Sequence, residues 1–117
     1  MGKDEKLRSV EKIARAGRPC LAICAGKDCA RAGTRQLLNA AQAALHEADL
    51  ADQVAIEITK CQDYCDDAPV MSVVPGGLPY VDLRPADVHR IVDNHVRNGR
   101  PVAELLHKRA RRKLKRV

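Results

Sequence analysis

Cys24 and Cys29 enclose four residues, and Cys61 and Cys65 enclose three. Short loops of this kind let two sulfurs reach one metal ion, and four thiolates are the full ligand set of a [2Fe–2S] cluster. Gly26 makes the first loop easy to bend. Lys27, and the start of a helix expected just after Cys29, would favour the deprotonated sulfur that iron needs. Structural zinc sites also use gaps of two to four residues, so spacing by itself leaves zinc open. Buried cysteines with no shared role are the plainest alternative. Against it, the four fall in polar loops at strand ends, where core packing does not require them. No Cys-x-x-Cys occurs, which argues against a disulfide oxidoreductase.

The elements around these pairs explain how they could meet. Residues 4–16 carry Leu7, Val10, Ile13 and Ala14 at helical spacing, ended by Gly17. The run from Pro19 to Cys24 is apolar and too short for a helix, so it reads as a buried strand. A helix rich in Ala, Leu, Gln and Glu is predicted from about Ala30 to Asp49, with Leu37, Ala41, Ala44, Leu45 and Ala48 on one face. Val54, Ile56 and Ile58 alternate in a second strand. A third strand is expected over 70–74, the Pro75-Gly76-Gly77 turn follows, and a fourth strand is expected over 80–83. Pro85 suits the first turn of a helix whose buried face is Val88, Ile91, Val92, His95 and Val96, closed by Gly99 and Pro101. A last helical segment is expected from Pro101 through Leu105 and Leu106 into the tail.

This β-α-β-β-β-α order predicts a layered α/β domain. The first crossover should be right-handed and join parallel neighbours. Cys24 then ends strand one, and Cys61 lies just past the end of strand two. Parallel strands about 5 Å apart end at one edge of the sheet, where open α/β sheets place their sites. The two pairs, with 31 residues between them, are thereby expected to converge.

With these residues set out, the region 18–101 resembles the thioredoxin-like [2Fe–2S] ferredoxins. It is also similar to the related small cluster-bearing subunit of NADH:quinone oxidoreductases and NAD-linked hydrogenases. The likeness rests on Cys24-Ala-Gly-Lys-Asp-Cys29-Ala-Arg-Ala-Gly33, on Cys61-Gln-Asp-Tyr-Cys65-Asp-Asp-Ala-Pro69, and on the segment from Tyr80 to Val88. It implies a thioredoxin-like fold: a four-stranded mixed sheet, order 2-1-3-4, with strand three antiparallel, packed with helices. It implies Cys24, Cys29, Cys61 and Cys65 as the cluster ligands, and one-electron transfer to a redox partner protein rather than catalysis. A homodimer is an expectation by the same analogy. The complex-bound relatives carry a larger helical region before this part. About 17 residues stand there here, which favours a small ferredoxin over an accessory subunit of a flavin- or NAD-dependent complex. Asp63 stands where family members often have Gly.

Size and charge fit this reading. The 117 residues allow one domain, expected as a short helix over 1–17, a ferredoxin domain over 18–106 and a basic tail over 107–117. The charged opening predicts a chain that is not exported, and no stretch approaches membrane-spanning length. A reducing cytoplasm, where thiolates can hold metal, is the expected compartment. Plant-type clusters with four cysteine ligands have potentials near roughly −400 mV. Asp28, Asp63, Asp66 and Asp67 are expected to crowd the cluster edge, where they would lower its potential and offer a docking site to a basic patch on a redox partner; a solvated polar loop with helix-capping acids is the plainer alternative. The fifth cysteine, Cys20, reads as a small core residue. His46, His89, His95 and His107 are remote in sequence from the pairs and read as helix-surface or packing residues.

The tail is separate. Residues 107–117 hold seven Lys/Arg and no acid; elsewhere 14 basic residues face 15 acidic ones. Such a segment could dock an acidic partner, a nucleic acid or an anionic membrane surface, or be a solvated helix end that aids solubility. A zinc-stabilised module using the tail on nucleic acid is the other class of function to weigh. Trp and Phe do not occur, and the only aromatics are Tyr64 and Tyr80, so the stacking platform of single-strand binders is missing.

Overall fold

The computed structural model describes residues 15, 17–25, 31–60, 62, 67–74 and 78–115, the last three as backbone. The helix expected over 4–16 lies, apart from Arg15, outside the described residues. Four strands form one sheet in the order β2-β1-β3-β4: β1 (Cys20–Cys24), β2 (Ala55–Thr59), β3 (Met71–Val74) and β4 (Leu78–Tyr80). β1 runs parallel to β2 and antiparallel to β3, and β3 runs antiparallel to β4. The expected order and strand directions are those observed.

β1 is buried on both faces along all five residues, as its unbroken apolar run requires of a central strand. On one face, Leu21 and Ile23 join Met71 and Val73 in the main core. That core is closed by α1 (Thr34–Glu47) and α2 (Pro85–Ile91), which pack against each other across it. α1 contributes Leu37, Ala41, Ala44 and Leu45, the positions its helical spacing marks. The other face carries Cys20, Ala22, Cys24 and Ser72, because strand residues alternate. β2 is an edge strand, and its Ile58 is 37% exposed.

Three elements differ from the sequence expectation. α1 starts at Thr34, not near Ala30. Gly33 interrupts the helical geometry with φ +136, a conformation open to glycine, and sits against Pro69. β4 covers residues 78–80 instead of 80–83. Pro79 is tolerated because its carbonyl turns outward and accepts from His107 N–H at 2.9 Å, so the missing N–H lies on the side away from β3. Past Tyr80 the chain leaves the ladder. Asp82 takes φ +50, and the amides of Asp82 and Leu83 donate to the carbonyls of Asp67 and Pro69. Finally, the last helical segment is split. A 3₁₀ turn (Ala103–Leu105) gives way to extended Leu106, which bridges Tyr80 on the outer edge of β4, and α3 (Lys108–Lys115) follows. An edge strand needs a partner for its outward groups, and Leu106 serves that need in place of continuing the helix.

α2 begins as predicted, with Pro85 in its first turn and the Asp87 carboxylate accepting from Arg84 N–H at 2.9 Å. It continues through a π-helical turn (Val92–Val96), and Gly99, at φ +71, closes it. Tyr80 is fully buried. Its hydroxyl lies 2.7 Å from His95 Nδ1 and accepts from Val102 N–H at 3.0 Å. Burial holds the Tyr80 phenol up at about 12, and burial lowers the pKa of His95. The neutral imidazole therefore accepts the phenol proton at Nδ1. Among the described residues no helix is long and apolar enough to cross a membrane.

Candidate metal centre

Cys24 is the last residue of β1 and is 2% exposed. Its side chain sits apart from the main core, in a small apolar cluster with Val70, flanked by Ala68 and Val81. Its backbone is fixed on both sides. The amide donates to Val70 O at 3.0 Å, and the carbonyl accepts from Thr34 Oγ1 at 2.8 Å. The second bond ties the start of α1 to the end of β1. Cys29, Cys61 and Cys65 lie outside the described residues, as do Asp28, Asp63 and Asp66.

The residues flanking those segments gather at one rim. Cys24 stands opposite Thr59 in the parallel register, and Ala25 N–H donates to Thr59 O at 3.0 Å. The chain thus enters 26–30 and 61–66 from neighbouring strand ends, as the crossover argument predicts. The return points are also shared. The carbonyls of Asp67, Pro69 and Val70 are taken by Asp82, Leu83 and Cys24, and Gly33 lies beside Pro69. The Ala68–Pro69 peptide is cis.

Gln62, between Cys61 and Asp63, is the anchor that sequence reading did not single out. It is buried, and its Nε2 donates to Ala22 O at 3.2 Å and to Thr59 Oγ1 at 2.8 Å. Its Oε1 accepts from Ser72 Oγ at 2.6 Å, and Thr59 Oγ1 donates on to Lys60 O. One amide thereby pins this position to β1, β2 and β3 together. Among the described residues, no buried side-chain nitrogen or oxygen is left without a hydrogen bond. The only sequence signal was a long polar residue inside a cysteine loop, next to strands carrying Thr59 and Ser72 on buried faces.

Asp67 is held on its side-chain end as well. His107 Nε2 approaches its carboxylate at 3.5 Å. His107 Nδ1 accepts from Arg109 N–H at 3.2 Å, which leaves the proton on Nε2, facing Asp67. The other histidines lie elsewhere on helices: His89 pairs with Glu47 at 3.2 Å, His95 meets Tyr80, and His46 is exposed in the last turn of α1. Cys20 lies at the far end of β1, opposite Ala55 and Val74.

This rim suits a metal–sulfur group. It offers a soft sulfur donor at Cys24, an apolar wall beside it and loop ends immobilised by backbone bonds. The sequence profile described as thioredoxin-like [2Fe-2S] ferredoxin matches residues 11–96. A protein of Aquifex aeolicus (strain VF5) named "Ferredoxin, 2Fe-2S" is 33% identical over 79 residues, spanning 67% of this chain and 71% of that one. A "Ferredoxin, 2Fe-2S" of Clostridium pasteurianum is 34% identical over 61 residues, spanning 52% of this chain and 60% of that one. The crystal structure of the wild-type thioredoxin-like [2Fe-2S] ferredoxin from Aquifex aeolicus superposes with a TM-score of 0.69 at 28% identity, covering 76% of this chain and 95% of that chain. The chain belongs to the thioredoxin-like [2Fe–2S] ferredoxin family. Its function is that of the family, electron transfer with a [2Fe–2S] cluster as cofactor.

Proposed function

We propose that Cys24, Cys29, Cys61 and Cys65 hold the cluster, and that the protein is a one-electron carrier without catalytic activity of its own. The observation that carries this is the register of Cys24 opposite Thr59, with the Ala25–Thr59 bond. It supports convergence of the two cysteine segments. When bound, the cluster supplies a site that accepts and releases a single electron. The chain's part is to hold the sulfurs still, so that little rearranges when charge changes. Thr34 and Val70 fix the backbone of Cys24, Gln62 fixes the second segment beside Cys61, and Val70, Ala68 and Val81 keep water from one side.

The ferredoxin domain is read as 18–106, with residues 1–17 before it and the basic segment 107–117 after it. Its partner is a redox protein, a reductase or an acceptor enzyme, and a reducing cytoplasm is the compartment that suits thiolate ligands. The test is iron and acid-labile sulfide analysis of anaerobically purified protein, with electron paramagnetic resonance after reduction. Two irons and two sulfides per chain are expected, as the cluster type requires. Replacing any one of the four cysteines with Ser should lower or abolish retention. Zinc as the sole metal would overturn the reading.

A further inference from the structure

We infer that the exposed face of α3 is a docking surface for an acidic patch on the redox partner. This rests on the electron-carrier reading above. The seven Lys/Arg of 107–117 do not belong to a loose tail over its described part. Ala110 is 7% exposed and joins the main core, His107 N–H donates to Pro79 O, and His107 Nδ1 caps the helix at Arg109 N–H. Arg111 is spent inward, on the carbonyls of Ala103, Glu104 and Leu106. Lys108, Arg109 and Arg112 remain exposed. At about 100° per residue Lys108 and Arg112 lie on the side of α3 opposite Ala110, and Arg109 flanks them.

This arrangement works against the helix that bears it. Cations in a first turn oppose the helix dipole, and α3 has no acid there. Lys108 with Arg112, and Arg109 with Arg112, are like charges at repelling spacings. Nothing within the described chain compensates the exposed three, and an anionic partner would. Local rules broken without internal compensation mark functional surfaces.

Position selects the partner. The cap of α3, His107, meets Asp67, two residues beyond Cys65. A protein seated on Lys108 and Arg109 therefore lies next to the rim through which electrons must pass. A nucleic acid or a lipid surface would gain nothing from that placement. The family profile ends at residue 96, so this surface is a property of this chain beyond the matched part.

The experiment uses the full-length holoprotein, reduced and mixed in stopped flow with two acceptors: an acidic flavodoxin and a basic cytochrome c. The triple variant Lys108→Glu, Arg109→Glu, Arg112→Glu should lower the flavodoxin rate constant by about tenfold or more at low ionic strength, with the gap closing at high salt. The cytochrome c rate should not fall. Acidic residues in the first turn should leave thermal stability equal or higher, which separates lost docking from a lost helix. Equal flavodoxin rates for both proteins would overturn the inference, and so would an equal fall with both acceptors. Tighter salt-sensitive binding of duplex DNA, or of phosphatidylserine vesicles, than of flavodoxin would also overturn it. Protein that purifies without iron and sulfide sinks the electron-carrier reading alone. Flavodoxin binding by calorimetry, wild type against the triple variant, then still decides the surface.

Discussion

Thr34 Oγ1 donates to the carbonyl of Cys24 at 2.8 Å, so the first residue of α1 holds the last residue of β1. Both groups are buried, and the bond joins the two ends of the segment that contains Cys29. Thr34→Val keeps the shape and leaves the carbonyl without this donor. It should cost about 1–2 kcal/mol in urea denaturation and shorten the lifetime of the visible cluster absorbance in air. Thr34→Ser should restore most of both. A valine variant with wild-type stability and cluster lifetime would show that the bond does not hold the rim.

Gln62 and Ser72 form a second bracket, with Ser72 Oγ donating to Gln62 Oε1 at 2.6 Å. Gln62→Leu strips partners from Ala22 O, Thr59 Oγ1 and Ser72 Oγ together, and should cost on the order of 2–3 kcal/mol. Ser72→Ala alone should cost about 1 kcal/mol. Because the two act through one bond, a double-mutant cycle should show coupling of about 0.5 kcal/mol or more. Additive effects within error would remove Gln62 from the list of rim anchors.

These anchors show where sequence reading reaches and where it stops. The parallel β1–β2 pair, the edge that collects both cysteine pairs and the buried face of α1 follow from local periodicity and the handedness of one crossover. Those signals are written in consecutive residues. Gln62, Thr34 and Ser72 earn their roles from atoms ten to forty positions away, and no spacing rule announces them. The early end of β4 is similar. Tyr80, Val81 and Leu83 look like a continuing strand, yet the amides of Asp82 and Leu83 are captured by Asp67 and Pro69. The break at Leu106 is set by the open edge of β4, a tertiary demand that overrides a plausible helix.

Tyr80 and His95 give the fold two pH limits. The folded state favours neutral His95, so its unfolded form takes up a proton first as pH falls below the ordinary value of 6.5. Stability should be full above that value and decline on acidification. Tyr80 is the opposite case, an acid whose folded pKa is raised from 10.0 to about 12. Its contribution is full below 10 and is lost as pH climbs toward 12. Tyr80→Phe should flatten the alkaline decline and cost about 1–3 kcal/mol at neutral pH, since Val102 N–H loses its acceptor. Urea melts of both proteins across pH read this directly. An alkaline decline unchanged in the phenylalanine variant would assign it to another group.

Cys20 and Cys24 share a strand and a face, but they occupy its opposite ends. Four steps of extended chain separate them by about 13 Å, and Cys20 pairs with Ala55 and Val74 where Cys24 pairs with Thr59. A sulfur at that distance cannot substitute for a rim ligand without unravelling β1. Cys20→Ala should therefore keep the full iron and sulfide content and cost about 1 kcal/mol or less in stability, as a small buried truncation does. Cys24→Ser should lose most of the cluster. Paired metal analyses of the two variants, each normalised to folded protein by circular dichroism, separate ligand from packing residue. Equal loss of iron from both would place Cys20 in the ligand set and undo the assignment of the rim.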